Sequence, residues 1–302
     1  MRAAALVGGV LLLASAGRAR AQEGAAASTF PFEAWNARTA ALGGAGTALL
    51  GMEASPLNPA AAAGARGTQL SRHLAPSDAE DTHVSVAHGG RWGTLELTFR
   101  RRDWGKVAED LGLDDLGAGE QAVGLGYSLA LAGGRVAVGA SAARLDTDYL
   151  GARSSGWALD AGAQASLGRG VRAGAALVHA GRMEGGEGEE VRLPTQVRTG
   201  LAWAGRARGA GLAAAADVAL PTTGGGGADL HAGVEAAFDA GPVRLAGRGG
   251  WRSLANPYGD GGAERSWSLG AGAEVAGVRL DLAQALGGTL GDETFLTLSV
   301  RW

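Results

Sequence analysis

Residues 122–131 read AVGLGYSLAL, a run in which large apolar residues alternate with small or polar ones. The large side chains are those of Val123, Leu125, Tyr127, Leu129 and Leu131. A period of two is typical of a β-strand whose two faces meet different surroundings. One apolar face and one face of glycine, alanine and serine fit the wall of a membrane β-barrel, which separates lipid from a lumen.

The same alternation recurs from residue 66 onward in segments of about ten residues, the length that a transmembrane strand needs. The pattern predicts about fourteen strands and an all-β fold, a transmembrane antiparallel up-and-down β-barrel over residues 66–302. The predicted strands are 66–75, 80–88, 92–101, 119–132, 135–147, 155–167, 171–182, 192–204, 208–220, 228–238, 242–253, 264–275, 278–286 and 292–302.

Short and longer connections alternate between these strands. The longer loops are predicted at 102–118, 148–154, 183–191, 221–227, 254–263 and 287–291, and the connection at 76–79 is the shortest of this set. Outer-membrane barrels show such an alternation of tight periplasmic turns and longer external loops. A soluble β-sandwich also has alternating strands, but its Greek-key connections would not keep short and long loops in regular order.

Five of the eight tryptophans lie at predicted strand ends and share the parity of the apolar face. They are Trp157, Trp203, Trp251, Trp267 and Trp302. In the core of a β-sandwich, aromatic residues would lie in the middle of strands. Aromatic girdles at the two bilayer interfaces explain the observed placement.

The N-terminus indicates export. Arg2 is followed by an apolar run over residues 3–16 and by the small-residue site Ala19-Arg20-Ala21. The apolar run is shorter than the roughly 20 residues of a membrane-spanning helix. We therefore expect residues 1–21 to be a cleavable signal peptide and the mature protein to lie in the cell outer membrane.

Composition limits the remaining function classes. The chain has no cysteine, which excludes a lipoprotein anchor and disulfides. Its formal net charge is −3, and loss of Arg2, Arg18 and Arg20 with the signal peptide takes it to −6. This acidic balance offers nucleic acid no electrostatic footprint.

Residues 22–65 lack the period of two, and they carry motifs that resemble a known family. Residues 37–46 read ARTAALGGAG and residues 58–60 read NPA; further matching pieces are LPT at 193–195, RTGL at 198–201, AGVE at 232–235, VRL at 243–245 and GGW at 249–251. In order and spacing these pieces resemble the PorV/PorQ family of outer-membrane proteins, within the FadL-like β-barrel superfamily. The resemblance covers most of the chain.

The resemblance implies that residues 22–65 fold into the lumen as a plug or hatch. The residues carried over to that role are Leu42, Gly43, Gly44, Gly46, Asn58 and Pro59. The width of the ring agrees, because eight strands can be filled by their own side chains whereas sixteen or more leave an open channel. Asn58-Pro59 should also end any strand here and cap a short helix over residues 60–63.

Twelve charged residues within the strands share the parity of the small face, so we expect these twelve to point into the lumen. They are Glu96, Arg100, Asp160, Arg172, Arg198, Asp217, Glu235, Arg244, Arg248, Glu274, Arg279 and Asp281. An arginine that faces lipid at mid-depth costs about 2–4 kcal/mol, which forces this placement. Because the signs are interleaved, we expect ladders of ion pairs that receive the plug; an ion pathway is the alternative.

The last strand ends in an apolar ladder with an aromatic residue at the final position. The family resemblance suggests that Leu298, Val300 and Trp302 form a signal that the barrel-assembly machinery reads.

No catalytic or cofactor chemistry is indicated. The sequence has no GxSxG and no GxxxxGK[ST] motif, and its five histidines are dispersed, so we expect no enzyme, cofactor or metal. The resemblance implies a PorV/PorQ-like partner or shuttle associated with type IX-like protein secretion. The alternative is a FadL-like transporter of hydrophobic small molecules, although the predicted lumen face is small and charged. The expected partners are outer-membrane lipid and either secretion cargo, secretion-system components or hydrophobic ligands. We expect the barrel to be monomeric.

Overall fold

The computed structural model describes residues 35–75, 79–105, 118–185, 188, 190–222, 227–255, 263–288 and 291–302. The strands are β1 (Arg66–Leu74), β2 (Glu80–Gly90), β3 (Gly93–Asp103), β4 (Ala118–Leu131), β5 (Val136–Tyr149), β6 (Ala152–Gly168), β7 (Val171–Glu184), β8 (Glu190–Arg192), β9 (Gln196–Ala207), β10 (Ala210–Pro221), β11 (Asp229–Ala240), β12 (Val243–Ala255), β13 (Ala263–Val275), β14 (Val278–Gly288) and β15 (Gly291–Arg301). The helices are α1 (Ala37–Ala41) and three short 3₁₀ helices, Met52–Ala54, Pro59–Ala62 and Ala132–Gly134. None of the helices in these ranges is long and apolar enough to cross a bilayer.

The strands form one closed antiparallel ring. Each long strand pairs with its neighbours in sequence, β7 pairs with β9, and β1 pairs with β15 in a register that sets Leu70 opposite Leu298. The short strand β8 lies beside the end of β7 and adds no member to the ring. The ring therefore has fourteen strands, and each predicted strand is present with ends that differ by a few residues.

The connections differ from the prediction at two places. The predicted loop 148–154 is wrong, because β5 and β6 run on until only Leu150 and Gly151 remain between them, both with positive φ (53° and 89°). Two consecutive residues in this conformation form the tight hairpin turn that fits the twist of paired strands. The predicted loop 287–291 is likewise shorter, since only residues 289–290 separate β14 from β15, and these two lie outside the described residues.

The other predicted long connections fall largely outside the described residues. Residues 76–78, 106–117, 223–226 and 256–262 lie outside the described ranges, as does the predicted signal peptide at 1–21.

The two faces of the strands are as the parity predicts. On β4, Leu125 is 53% exposed on the outside of the ring, whereas Ser128 is 2% exposed on the inside. On β15, Leu298 is 42% exposed and Ser299 is 5% exposed. A continuous apolar outer surface of this kind is what the hydrocarbon of a bilayer requires.

The predicted girdle tryptophans lie on the outer surface. Trp157, Trp203, Trp267 and Trp302 are each at least 41% exposed. Trp251 is opposite Trp267 in the register of β12 and β13, so these two rings form an outward pair beside the longer loops. Their position near strand ends fits an interfacial belt.

Substitution of Leu125 by arginine is expected to destabilise the folded barrel by about 2–4 kcal/mol, because a charge would face hydrocarbon near mid-depth. Gly126→Ser is the control: a Cβ at Gly126 meets its nearest atoms at 3.7 Å, an ordinary contact distance, on the luminal face. Unfolding in urea from lipid vesicles, followed by tryptophan fluorescence, measures both. Equal costs for the two variants would contradict the assigned faces.

Candidate functional site

The chain from Trp35 to Ala65 lies inside the ring and packs against the luminal faces of strands on opposite sides. We call these residues the luminal segment. They are the described part of the predicted segment 22–65, whose residues 22–34 lie outside the described ranges. Asn36 caps α1 by accepting a hydrogen bond from Thr39 N at 3.0 Å, and the chain then turns at Gly43 and Gly44 with φ of 66° and 81°.

Asp217 on β10 anchors the middle of the luminal segment. Its carboxylate accepts hydrogen bonds from Gly46 N at 2.8 Å, from Thr47 N at 2.9 Å and from the Thr47 hydroxyl at 2.7 Å. Arg198 on β9 donates to the same oxygen at 3.4 Å. A buried carboxylate that collects several donors is a strong, directional attachment point.

Asn58 and Pro59 anchor the next turn. The Asn58 side chain accepts from Ala60 N at 3.0 Å and donates to Thr47 O at 2.8 Å. Gln164 on β6 donates to the same Thr47 carbonyl at 3.0 Å. The predicted cap is therefore present, although the helix it begins is the 3₁₀ helix Pro59–Ala62.

Glycines of the wall let the luminal segment approach closely. A Cβ added at Gly233 would lie 2.6 Å from Leu42 Cα, and one at Gly139 would lie 2.6 Å from the carbonyl carbon of Pro59. Either contact is far inside van der Waals distance. The small inner face of the barrel is thus complementary in shape to the backbone inside it.

A network of charges joins the luminal segment to the wall near the chain termini. Arg38 donates two hydrogen bonds to Glu235, at 3.0 and 3.2 Å. Glu53 accepts from Arg301 at 3.2 Å and pairs with Arg279. These are the two charged residues of the luminal segment, and each has a luminal partner of opposite sign.

The network continues along the wall. Arg248 donates to Glu235 at 2.6 Å and to Asp281 at 2.8 Å, and Arg279 donates to the other oxygen of Asp281 at 2.6 Å. Charges of alternating sign are thus linked from β11 to β15, and Glu235, Arg279 and Arg301 also contact the luminal segment.

Acid is expected to loosen the luminal segment through Glu53. Burial alone would raise the pKa of Glu53. The positive charges of Arg279, Arg38 and Arg301 outweigh burial and lower the pKa from the usual 4.5 to about 2. A depressed pKa stabilises the folded state above pH 4.5, and this contribution is lost as the pH falls from 4.5 towards 2. By linkage the contribution at neutral pH is roughly 3 kcal/mol.

The pH dependence of urea unfolding tests this. Stability should fall between pH 4.5 and pH 2, and Glu53→Gln should be less stable at neutral pH and flatter over this window. A wild-type curve that overlays that of Glu53→Gln would contradict the assignment.

The predicted site residues fall into three groups. Seated in the luminal segment are Leu42, Gly43, Gly44, Gly46, Asn58 and Pro59. Buried or half-buried on the luminal wall are Glu96, Arg100, Arg198, Glu235, Arg248, Arg279 and Asp281. Arg244 is on the same face but lies at the end of β12, half-exposed, where it pairs with Asp239 at 3.4 Å.

Glu96 departs from the expected ladder. Its one hydrogen-bond partner among the described residues is the Ser55 hydroxyl, at 2.9 Å, and no arginine or histidine of the described ranges pairs with it. The alternation of the strand predicts that a charged side chain faces the lumen, but it does not predict whether a residue of opposite charge lies next to it.

Sequence reasoning missed an apolar patch on the luminal wall. We call it the luminal apolar patch; its members are Ala122, Leu145, Ala158, Met183 and Leu193. Met183 and Leu193 are at most 1% exposed. The available signal was large apolar side chains at positions whose parity faces the lumen, such as Leu145 on β5.

The wall is irregular beside this patch. On β7 the register slips between Leu177 and Ala180, where His179 takes a φ of 60°, and His179 N donates to Asp160 at 2.6 Å. Past this bulge β7 pairs with β8 instead of β9, and the intervening turn brings Leu193 N to Gly181 O at 2.9 Å. A bulge of this kind re-aims side chains, and here it accompanies the change of pairing partner.

The last strand closes the ring. Leu298 and Val300 point outward from β15, and Trp302 follows at the end of the chain, 60% exposed. That these three residues act as an assembly signal stays a prediction.

A closed fourteen-stranded antiparallel ring with an apolar outer surface and a segment packed in its lumen defines an outer-membrane-type β-barrel. Solved structures share the fold. The Ralstonia pickettii toluene transporter TbuX aligns with 91% of this chain and all of its own at 12% identity and a TM-score of 0.60. The P. putida toluene transporter TodX aligns with 89% of this chain and 99% of its own at 12% identity and a TM-score of 0.55.

A Pseudomonas aeruginosa FadL homologue also aligns, over 87% of this chain and 97% of its own, at 13% identity and a TM-score of 0.51. No profile of a known protein family matches the sequence, and no curated protein matches it. The chain is thus similar in fold to these two toluene transporters and to the FadL homologue.

Proposed function

We propose that this protein is an outer-membrane barrel that admits hydrophobic small molecules, with the luminal segment as its barrier. The observation that carries the proposal is the luminal apolar patch. Elsewhere the described luminal wall is mostly small, polar or charged. The five apolar side chains packed together therefore provide the surface on which an apolar molecule would bind at the lowest cost in free energy.

The fold supports the same reading. TbuX and TodX are toluene transporters and share this ring of strands. A barrel of their architecture with an apolar patch on its inner wall fits a ligand of that class.

The motifs behind the expected secretion role have another explanation. Leu42 to Gly46 and Asn58-Pro59 seat the luminal segment, and Leu193-Pro194-Thr195 supplies a member of the luminal apolar patch. A secretion partner or shuttle therefore gains no support from these residues, and hydrophobic transport is the function we propose.

Passage of a hydrophobic molecule through the lumen requires the luminal segment to move. Two cavities between the luminal segment and the wall have volumes of about 10 and 40 Å³ and are lined by described residues. Benzene occupies a cavity of about 150 Å³ in a protein interior. A monoaromatic molecule would therefore displace part of the luminal segment, which makes its attachment to the wall the control point.

Binding of toluene to the detergent-solubilised full chain tests the proposal. Met183→Asp should weaken binding at least tenfold, because a buried carboxylate would replace an apolar contact. Met183→Leu is the matched control and should bind as the wild type does. Unboiled samples on a gel establish that each variant is folded. Equal toluene binding by the aspartate and leucine variants would overturn the assignment of the patch.

A further inference from the structure

A small cavity on the β3–β6 side of the lumen has an unusual lining. Its volume is about 40 Å³, room for a group the size of one or two water molecules. The luminal segment contributes Trp35, Ser55, Pro56, Pro59 and Ala62. The wall contributes two carboxylates, those of Glu96 and Asp160, and the lining contains no arginine or lysine.

The two carboxylates lie on one rung of the sheet. In register across four strands, Glu96 is opposite Gly126, Gly126 is opposite Ser141, and Ser141 is opposite Asp160. Gly126 carries no side chain, so the space between Glu96 and Ser141 stays open.

The polar groups around this space are incompletely partnered. Glu96 is 6% exposed and is held through one oxygen by Ser55 at 2.9 Å. The Ser128 hydroxyl, 2% exposed, also lines the cavity and has no hydrogen-bond partner among the described residues. Asp160, by contrast, accepts from Ser141 at 2.7 Å and from His179 N at 2.6 Å.

The arginine nearest to Glu96 along β3 interacts with other residues. Arg100 is two inward positions further along β3, and its guanidinium group contacts Asp81 at 3.5 Å and lies 4.6 Å from the centre of the Trp35 ring. A buried carboxylate without a counter-charge is costly, so a cationic donor in this cavity would be strongly favoured.

The luminal apolar patch lies further along the same wall. The rung of Arg100 sets Ala122 and Leu145 opposite one another, four residues from the Glu96 rung, or about 13 Å along the strand. The luminal apolar patch therefore lies on the same wall at a different depth from Glu96.

We propose that the preferred ligands are small organic amines, with the ammonium group in the acidic cavity between Glu96 and Ser128 and the apolar body against Trp35 and Pro59, which line the same cavity. This inference rests on the proposed function and narrows its substrate class. The ammonium group donates up to three hydrogen bonds, and the second oxygen of the Glu96 carboxylate and the Ser128 hydroxyl oxygen can accept them.

Isothermal titration of the detergent-solubilised full chain at neutral pH tests this with three probes of similar shape: benzylammonium, toluene and benzoate. Benzylammonium should bind at least tenfold more tightly than toluene, and benzoate should bind more weakly than either. Glu96→Gln should remove the advantage of benzylammonium and leave toluene binding unchanged. Glu274→Gln is the matched control, a luminal carboxylate paired with Arg301 at 3.7 Å and away from the cavity, and should leave both affinities unchanged.

The outcomes separate the two proposals. Toluene binding without preference for benzylammonium overturns the amine proposal and leaves hydrophobic transport standing, whereas absence of toluene binding counts against the proposed function itself. Sodium or ammonium chloride serves as a further probe. Binding of these inorganic cations with the same affinity as benzylammonium would mean that the apolar body contributes nothing, and would also overturn the amine proposal.

Discussion

Deletion of residues 35–64 is expected to raise the ion conductance of the barrel at least tenfold. The luminal segment fills the ring between opposite walls, and the wall facing it carries charged and polar side chains that would line a water-filled channel once it is gone. Fourteen strands enclose a wider space than the eight-stranded ring that side chains alone can fill. Single-channel recording in planar bilayers measures the change.

The ring itself should survive this deletion, because its strand pairing does not pass through the luminal segment. Slower migration after boiling is the check that both proteins are assembled barrels. Full-length and deleted proteins with the same conductance would show that residues 35–64 are not the barrier.

Replacement of Asp217 by alanine is expected to release the middle of the luminal segment. The change leaves two backbone N–H groups of the segment, those of Gly46 and Thr47, without their acceptor, and it leaves Arg198 without its carboxylate. Breaking a buried charge pair on one side costs about 3–5 kcal/mol. Hydrogen exchange at the amides of residues 46 and 47 should accelerate more than a hundredfold, with a rise in conductance.

Asp239→Ala is the matched control. Asp239 lies at the end of the neighbouring strand β11, pairs with arginines at 3.4 and 3.7 Å and is half-exposed. Exposed ion pairs contribute little, so the exchange of residues 46 and 47 should not change. Equal exchange rates in the two variants would contradict the anchoring role of Asp217.

The ring of strands could be predicted from the sequence because lipid imposes a period of two on every strand. Leu125 and Leu298 repeat the same outward parity on strands far apart in sequence, and a charge on that face near mid-depth is costly. The inward placement of Glu96, Arg248 and Asp281 followed from the same rule.

Partners within the lumen could not be predicted in this way. The contacts Arg38–Glu235 and Thr47–Asp217 join residues that are 197 and 170 positions apart, and parity gives a direction but no depth or rotation around the ring. The luminal apolar patch was missed for a related reason. Leu145 and Met183 occur at inward positions between small residues, and only the bulge at His179 and the turn at Leu193 bring them together.

The lengths of the connections between strands could not be predicted from the sequence pattern either. Residues 148–154 contain Asp148, Leu150 and Gly151 and resemble a loop in sequence, yet Leu150 and Gly151 form a two-residue turn, so β5 runs to Tyr149 and β6 begins at Ala152. Polar residues at the end of a strand give the same sequence pattern whether they belong to an extended hairpin or to a loop.

Uptake of toluene by intact cells tests the central claim most directly. A Gram-negative host without a hydrocarbon channel of its own would express the full chain, the Met183→Asp variant or the Met183→Leu variant at equal outer-membrane levels. The account predicts that the full chain and Met183→Leu raise the initial rate of toluene uptake several-fold over the empty vector, and that Met183→Asp does not. A rate with the full chain equal to that of the vector would contradict it.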